Sequence, residues 1–90
     1  MLFIVAYDNP EDGTRNQIAA ELETWGRRVQ YSVFECDLDQ RRVARLEGKL
    51  RALISACDNI RIYPLCSSCR GRVVTMGGKP VTVDAGFYQV

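Results

Sequence analysis

The sequence predicts an α/β fold of the α+β type, in which two helices cover one face of an antiparallel sheet. Three observations lead to it: an apolar N-terminal run, two segments with apolar residues at helical spacing, and a late segment with strict apolar–polar alternation. The chain has 90 residues, enough for one domain with a modest core. Its 47% hydrophobic and 26% charged residues are typical of a globular protein.

The first half of the chain predicts a strand, a helix and an extended segment. Residues 2–8 are predicted as the first strand, because an apolar run through Tyr7 that ends on Asp8 is typical of a central strand. Residues 14–17 match a capping box that starts a helix, and Gly26 is placed to end it. Residues 28–36 are rich in β-branched and aromatic side chains, so they are extended, either as one long strand or as a short hairpin.

The second half predicts a helix, a strand and a further extended segment. Asp39 is the expected N-cap of a helix that runs to about Ala56. Residues 59–65 alternate strictly, and Pro64 indicates that this strand either ends there or lies at a sheet edge. Residues 72–76 are expected to add one short strand.

The resulting order is that of a ferredoxin-like sandwich, βαββαβ with an extra C-terminal strand. We expect residues 1–78 to form the domain and residues 79–90 to form a tail that contributes to dimer or partner contacts. The open face of the sheet needs a cover, which a second copy would supply. We therefore expect a homodimer in which residues 72–85 cross onto the partner's sheet.

Asp8 is the leading candidate for a functional residue. It ends an apolar strand, where a carboxylate is costly unless something uses its charge. The chain has no histidine, which excludes histidine-activated nucleophiles and histidine metal sites. Mg²⁺ or Mn²⁺ held by carboxylate oxygen is then the favoured use, with a second Asp8 from a two-fold dimer. The structural alternative is an aspartate that caps the following turn.

Two further acids, Glu11 and Asp12, lie close to Asp8 in the sequence. They are metal-ligand candidates by residue type. The simpler interpretation is that they complement the dipole at the start of the first helix.

Arginines and aromatic residues suggest a surface for nucleic acid. Arg15 lies on the first helical turn, and the extended segment carries Arg27, Arg28, Ser32 and Phe34. Arginine suits bidentate phosphate contacts, and phenylalanine suits base stacking. The alternatives are solvated surface charge for the arginines and a core or dimer position for Phe34. The net charge of +1 does not by itself indicate a nucleic-acid partner.

The chain has four cysteines, of which Cys66 and Cys69 form a single C-x-x-C pair. A four-cysteine zinc site would need two such pairs. Reduced structural thiols, a metal or disulfide staple, and redox catalysis remain open, in that order of preference. The chain has no apolar stretch of membrane-spanning length and no features of a signal peptide. We expect a cytoplasmic protein with reduced cysteines and no membrane partner.

The sequence resembles the small CRISPR-associated adaptation proteins. The strings that carry the resemblance are Tyr7-Asp8 at the end of the first strand, Arg15, Trp25-Gly26, residues 28–35 and residues 59–65. The resemblance covers essentially the whole chain and implies a ferredoxin-like homodimer that works with the CRISPR integrase. Members of the family are described both as metal-dependent ribonucleases or deoxyribonucleases and as DNA-binding scaffolds.

Within this resemblance, Asp8 matches the family's metal-binding aspartate, which implies Mg²⁺ or Mn²⁺. The positions associated with phosphate or nucleic-acid contact are Tyr7, Arg15, Arg28, Ser32 and Phe34. Gln17 stands where the family often has a basic residue, which implies a weaker grip on phosphate.

The function that the resemblance favours is spacer acquisition. The protein would bind DNA or RNA as a homodimer and scaffold the integrase complex. Metal-dependent endonuclease activity is a second property that stays open. The alternative is a generic ferredoxin-like module for a small ligand or for regulation, which would not explain the arginine-rich extended segment.

Overall fold

A computed structural model of the protein describes residues 1–8, 12–54, 59–78 and 81. Within them the chain forms an antiparallel sheet with helices packed on one face. The strands are β1 (Leu2–Asp8), β2 (Arg27–Gln30), β3 (Val33–Asp37) and β4 (Asn59–Leu65), and the helices are α1 (Asp12–Trp25), α2 (Gln40–Leu53) and α3 (Ser67–Arg70). No helix in these ranges is both long enough and apolar enough to cross a membrane.

The strand order is β2-β3-β1-β4, and every neighbouring pair is antiparallel. This is the predicted ferredoxin-like arrangement. The apolar strand β1 lies in the centre, where Val5 stands opposite Phe34 of β3 and Ile62 of β4. Because side chains alternate along a strand, Val5 and its partners face the same side and join the core beneath the helices.

The extended segment that the sequence left undecided is a hairpin. Residues 31–32 form the turn between β2 and β3, and the backbone N–H of Tyr7 donates to the carbonyl of Ser32 at 3.1 Å. β2 pairs with β3 in antiparallel orientation, with Arg28 opposite Phe34, so the chain reverses at this turn. This pairing decides between one long strand and a hairpin.

Helix α1 begins at Asp12, so the predicted start at the Thr14 capping box is wrong. Acidic residues are favoured in the first turn of a helix, and Asp12 is therefore an equally acceptable start. The helix ends at Trp25, as predicted, and the N–H of Gly26 donates to the carbonyl of Leu22 at 3.0 Å.

Gly26 is required because the chain passes very close to β3. A Cβ atom at this position would lie 2.8 Å from Cys36 Cα and 2.6 Å from Cys36 Sγ. Backbone of a central strand cannot move away cheaply, so Gly26→Ala should lower the free energy of unfolding by about 3 kcal/mol or more. Gly48→Ala is the matched control. Gly48 is an exposed residue of α2, and a Cβ atom added there would have no neighbouring side chain or strand within 4 Å.

The control should raise stability by about 0.5–1 kcal/mol, because alanine is the better helix former. Urea unfolding followed by circular dichroism measures both variants. Equal stabilities for the two would show that the close approach at Gly26 does not constrain the fold.

Helix α2 starts and packs as predicted. The side chain of Asp39 accepts a hydrogen bond from the N–H of Arg42 at 2.8 Å, which confirms the N-cap. Leu46 and Leu50 are buried in the core. The helix ends at Leu53, so the predicted end at Ala56 is too late by three residues, and Ala56 lies outside the described residues.

Strand β4 is an edge strand, which confirms the edge alternative for Pro64. Residues 73–76 form no ladder within one protomer, so the expected short strand at residues 72–76, which would pair with the partner's sheet, stays a prediction. After β4 the chain turns through α3, and residues 74–78 then border the open sheet face near Ile4 and Val33. Residues 79–90 lie outside the description except for Val81, so the boundary at residue 78 and the crossing of residues 72–85 stay predictions.

Candidate metal and nucleic-acid site

Asp8 lies at one end of the sheet, on an open edge of the molecule. It is the last residue of β1, its side chain is exposed, and it stands opposite Asn59 of β4. Together with Ala6, Tyr7 and Arg61 these two residues line a shallow depression of about 190 Å³. The strand is buried, but the side chain of its last residue is exposed to solvent, so Asp8 is not the buried carboxylate that the sequence suggested.

Carboxylate and amide oxygens are the donors that a hard divalent cation prefers, so Asp8 and Asn59 fit Mg²⁺ or Mn²⁺ by donor type. The number of ligands is low, because no group of three or more acids and cysteines lies together among the described residues. Glu11 and the side chain of Asp12 lie outside that description. The described residues of one protomer therefore offer an incomplete set of metal ligands. A second carboxylate from another chain would make the set more complete.

Two of the predicted arginines meet around an aromatic ring. The guanidinium carbon of Arg15 on α1 lies 5.6 Å from the ring centre of Tyr31, and that of Arg28 on β2 lies 5.9 Å from the same centre. Both distances are within cation–π range. We call these three residues the Arg–Tyr cluster.

Tyr31 was missed by sequence reasoning, although it is the exposed aromatic residue at this place. It lies in the β2–β3 turn with 66% of its surface exposed. A tyrosine between Arg28 and Ser32 was the available signal, but its exposure depends on the hairpin, which the sequence left open. The ring is accessible for stacking against a base, the role expected of Phe34.

Phe34 and Tyr7 are core residues. Phe34 has no exposed surface, and the Arg28 guanidinium lies 5.2 Å from its ring centre. Tyr7 is 5% exposed, its ring lies 6.3 Å from that of Phe34, and its hydroxyl donates to the Tyr31 carbonyl at 3.4 Å. Base stacking needs an open ring face, which Phe34 does not have in this protomer. Phe34 therefore occupies the core position that the sequence offered as the alternative.

Tyr7 and Phe34 therefore support the turn on which Tyr31 stands. Ser32 is half-buried in that turn, and its carbonyl holds the backbone N–H of Tyr7. This bond places the turn beside the end of β1, and thus close to Asp8. The structure brings Asp8, Ser32 and the Arg–Tyr cluster to one end of the sheet.

Arg27 belongs to a different part of the molecule. Its guanidinium lies 3.5 Å from a carboxylate oxygen of Glu35, the buried acidic residue of β3. Consecutive residues of a strand point to opposite faces, so Arg28 faces the helices while Arg27 faces the open side. Arg27 forms an ion pair with Glu35, and its predicted role in binding nucleic acid has no support from this geometry.

Comparison with known proteins places the chain in a family. Residues 1–73 match the family described as CRISPR associated protein Cas2. The CRISPR-associated endoribonuclease Cas2 3 of Synechocystis sp. is 41% identical, over 94% of each chain. The CRISPR-associated endonuclease Cas2 2 of Thermus thermophilus is 42% identical, over 89% of this chain and 86% of that protein.

Solved structures agree with the sequence match. Streptococcus pyogenes Cas2 superposes with a TM-score of 0.75 at 32% identity, over 86% of this chain and all of that chain (100%). A chain of a partial Cas6-RT-Cas1–Cas2 complex superposes with a TM-score of 0.77 at 29% identity, over 91% and 97% of the two chains. The resemblance inferred from the residues is confirmed, and the chain belongs to the CRISPR associated protein Cas2 family.

Proposed function

We propose that the protein binds nucleic acid as a homodimer and scaffolds the integrase of a CRISPR spacer-acquisition complex. Phosphodiester cleavage that depends on Mg²⁺ or Mn²⁺ is a second, intrinsic activity of the same site. The observation that carries the proposal is the Arg–Tyr cluster beside Asp8. The Cas1–Cas2 complex among the similar structures and the nuclease names of the relatives support it.

The Arg–Tyr cluster has the properties of a phosphate-binding surface. Its two guanidinium groups come from different elements and converge on the exposed ring of Tyr31. Arg28 also lies 3.7 Å from Glu23 on the surface, a pair that contributes little and that a phosphate can replace. Contacts of this kind grip the backbone of DNA or RNA without reading its sequence.

The residues around Asp8 fit a role in cleavage once two protomers meet. Asp8 and the partner's Asp8 would hold the cation, and Asn59 offers an amide oxygen beside each of them. A divalent cation so held activates water and stabilises charge on the reacting phosphate. The Arg–Tyr cluster would position the phosphodiester next to this centre.

The open face of the sheet supports a homodimer. Ile4, Val29 and Val33 line it together with the segment of residues 74–78. Val74 is 75% exposed and Met76 is 92% exposed. A second copy of this face would cover these apolar side chains and bring two Asp8 residues into one assembly.

The test of nucleic-acid binding is the double variant Arg15→Ala/Arg28→Ala. Loss of two phosphate contacts in each protomer, four in the homodimer, should weaken binding to a short DNA duplex about tenfold or more at low salt. The slope of log affinity against log salt should become shallower by about 4, one unit per contact. Fluorescence anisotropy across a salt series measures both quantities.

Arg51→Ala is the matched control, because Arg51 is an exposed arginine that pairs with Glu47 at 3.1 Å on α2. It should leave the affinity and the salt slope close to those of the unmodified protein. Equal losses in the control and in the double variant would mean that binding reflects charge spread over the surface. An unchanged double variant would remove the cluster from the interface.

A further inference from the structure

Cys66 and Cys69 lie in an exposed turn that the nucleic-acid site does not use. Cys66 follows β4 directly and precedes α3, and both cysteines are free and exposed. The N–H of Arg70 donates to the carbonyl of Cys66 at 2.8 Å, which closes a helical turn around the pair. The Cα atoms at the two ends of a four-residue turn lie less than about 7 Å apart, a separation that a disulfide can span.

The two thiols differ in character. The Cys66 sulfur lies 3.4 Å from the Ser68 hydroxyl. Hydrogen bonds from Ser68 and then from Cys69 lower the pKa of Cys66 to about 7. The pKa of Cys69 is raised, because its thiol donates a hydrogen bond to Cys66 and lies beside that charge. Near neutral pH, Cys66 is therefore the nucleophile and Cys69 keeps its proton.

Their exposure distinguishes these thiols from a structural cysteine of the same chain. Cys36 is fully buried on β3, where burial and then the charge of Glu35 raise its pKa to about 11. Such a thiol is inert at neutral pH. Cys66 and Cys69 pack against no core, so the interpretation of the pair as structural thiols does not fit.

We propose that Cys66 and Cys69 form a reversible dithiol–disulfide site that reacts with low-molecular-weight disulfides. The Cys66 thiolate attacks one sulfur of the reagent, forms a mixed disulfide and releases the other half as a thiolate. Cys69 then loses its proton to solvent and attacks the Cys66 sulfur, releasing the second half. The two protein thiols lose two electrons and two protons in total, and the reagent gains them to become two thiols.

The position of the pair gives the reaction a structural consequence. Arg70 follows Cys69 directly, and both of its terminal nitrogens lie 3.4 Å from a carboxylate oxygen of Asp37 on β3. The chain beyond this anchor borders the open sheet face. A disulfide would stiffen the turn at the point where this C-terminal segment leaves the sheet.

The test is incubation of the reduced protein with oxidised glutathione at pH 7, followed by acid quench, intact mass and peptide mapping. A Cys57→Ser background removes the cysteine that lies outside the described residues. We expect the loss of two hydrogen atoms, a bond between Cys66 and Cys69, and full reversal by dithiothreitol. Cys36 should stay unmodified and serves as the internal control.

Two single variants separate the steps. Cys69→Ser should stop at a stable mixed disulfide on Cys66, because the resolving thiol is gone. Cys66→Ser should react about fivefold or more slowly at pH 7, because its remaining exposed thiol is mostly protonated. Equal rates for the two variants, glutathione retained on both cysteines, or a bond between two chains would each overturn the proposal. Zinc that copurifies with the protein and blocks the reaction would replace it with a metal site.

Discussion

Asp8→Asn should abolish cleavage that depends on Mg²⁺ or Mn²⁺, and it should leave the fold and the binding of nucleic acid intact. The substitution replaces the Asp8 carboxylate by a neutral amide in both protomers, so the proposed shared cation loses both of its charged ligands. The rate of cleavage should fall by about two orders of magnitude or more. The fold should tolerate the change because the side chain is exposed at the end of β1. Cleavage of labelled RNA and DNA, with and without chelator, measures the loss.

Asp39→Asn is the matched control for this substitution. It makes the same chemical change at the N-cap of α2, where asparagine is as good a cap as aspartate. The control should cleave as the unmodified protein does. Full residual activity of Asp8→Asn would indicate a contaminating nuclease or a site elsewhere in the chain.

The same variant separates the two proposed activities in a spacer-acquisition assay. Survival of acquisition in Asp8→Asn would show that the protein acts as a scaffold and that its chemistry is dispensable there. Loss of acquisition, with duplex binding and dimerisation unchanged, would show that the cation or the cleavage is needed.

Removal of residues 72–90 should convert the proposed homodimer into a monomer or a poorly soluble protein. The deletion takes away the segment that borders the open sheet face, including the exposed Val74 and Met76. An uncovered apolar face of this kind favours aggregation. Sedimentation velocity across a range of protein concentrations measures the association.

A point variant shows whether a loss of the dimer reflects misfolding. Val74→Asp places a charge on an exposed side chain, so the core of the protomer is untouched. It should weaken dimerisation with an unchanged circular dichroism spectrum. Ala44→Asp, at an exposed position of α2 in the helical layer, is the control and should stay dimeric. A truncated protein that remains a stable dimer would mean that the sheet faces alone hold the protomers together.

Much of the fold follows from local patterns. The apolar run that ends on Asp8 predicted β1, and the Asp39 cap predicted the start of α2; both are confirmed. Pro64 predicted a strand that ends there or lies at an edge, and the edge alternative is confirmed. Each depends on a preference that acts over a few residues, such as apolar burial, a capping hydrogen bond or the missing N–H of proline. The specific strings shared with the family carried the rest of the prediction.

The errors occurred where local preferences compete. Asp12 and Thr14 are both acceptable starts for α1, and the backbone enters the helix at the earlier one. Residues 72–76 have the composition of a strand, but a strand needs a neighbour in register, and the described residues of one protomer supply none. Whether a partner's sheet supplies it is the question that the truncation tests.

In the candidate site, too, the sequence predicted which residues take part, and the tertiary structure decided which of them come together. Residue type and resemblance were enough to select Asp8, Arg15 and Arg28 from the sequence. Only the tertiary structure showed that Arg28 joins Arg15 around Tyr31, while Arg27 turns to the buried Glu35. The register of β2 against β3 sets which of two adjacent arginines faces the helices, because a shift by one residue reverses every side chain. The position of this hairpin on the sheet depends on the pairing of β3 with β1, where Phe34 stands opposite Val5. Those two segments are far apart in the chain, so local sequence does not encode their pairing, which places Phe34 in the core and leaves Tyr31 exposed.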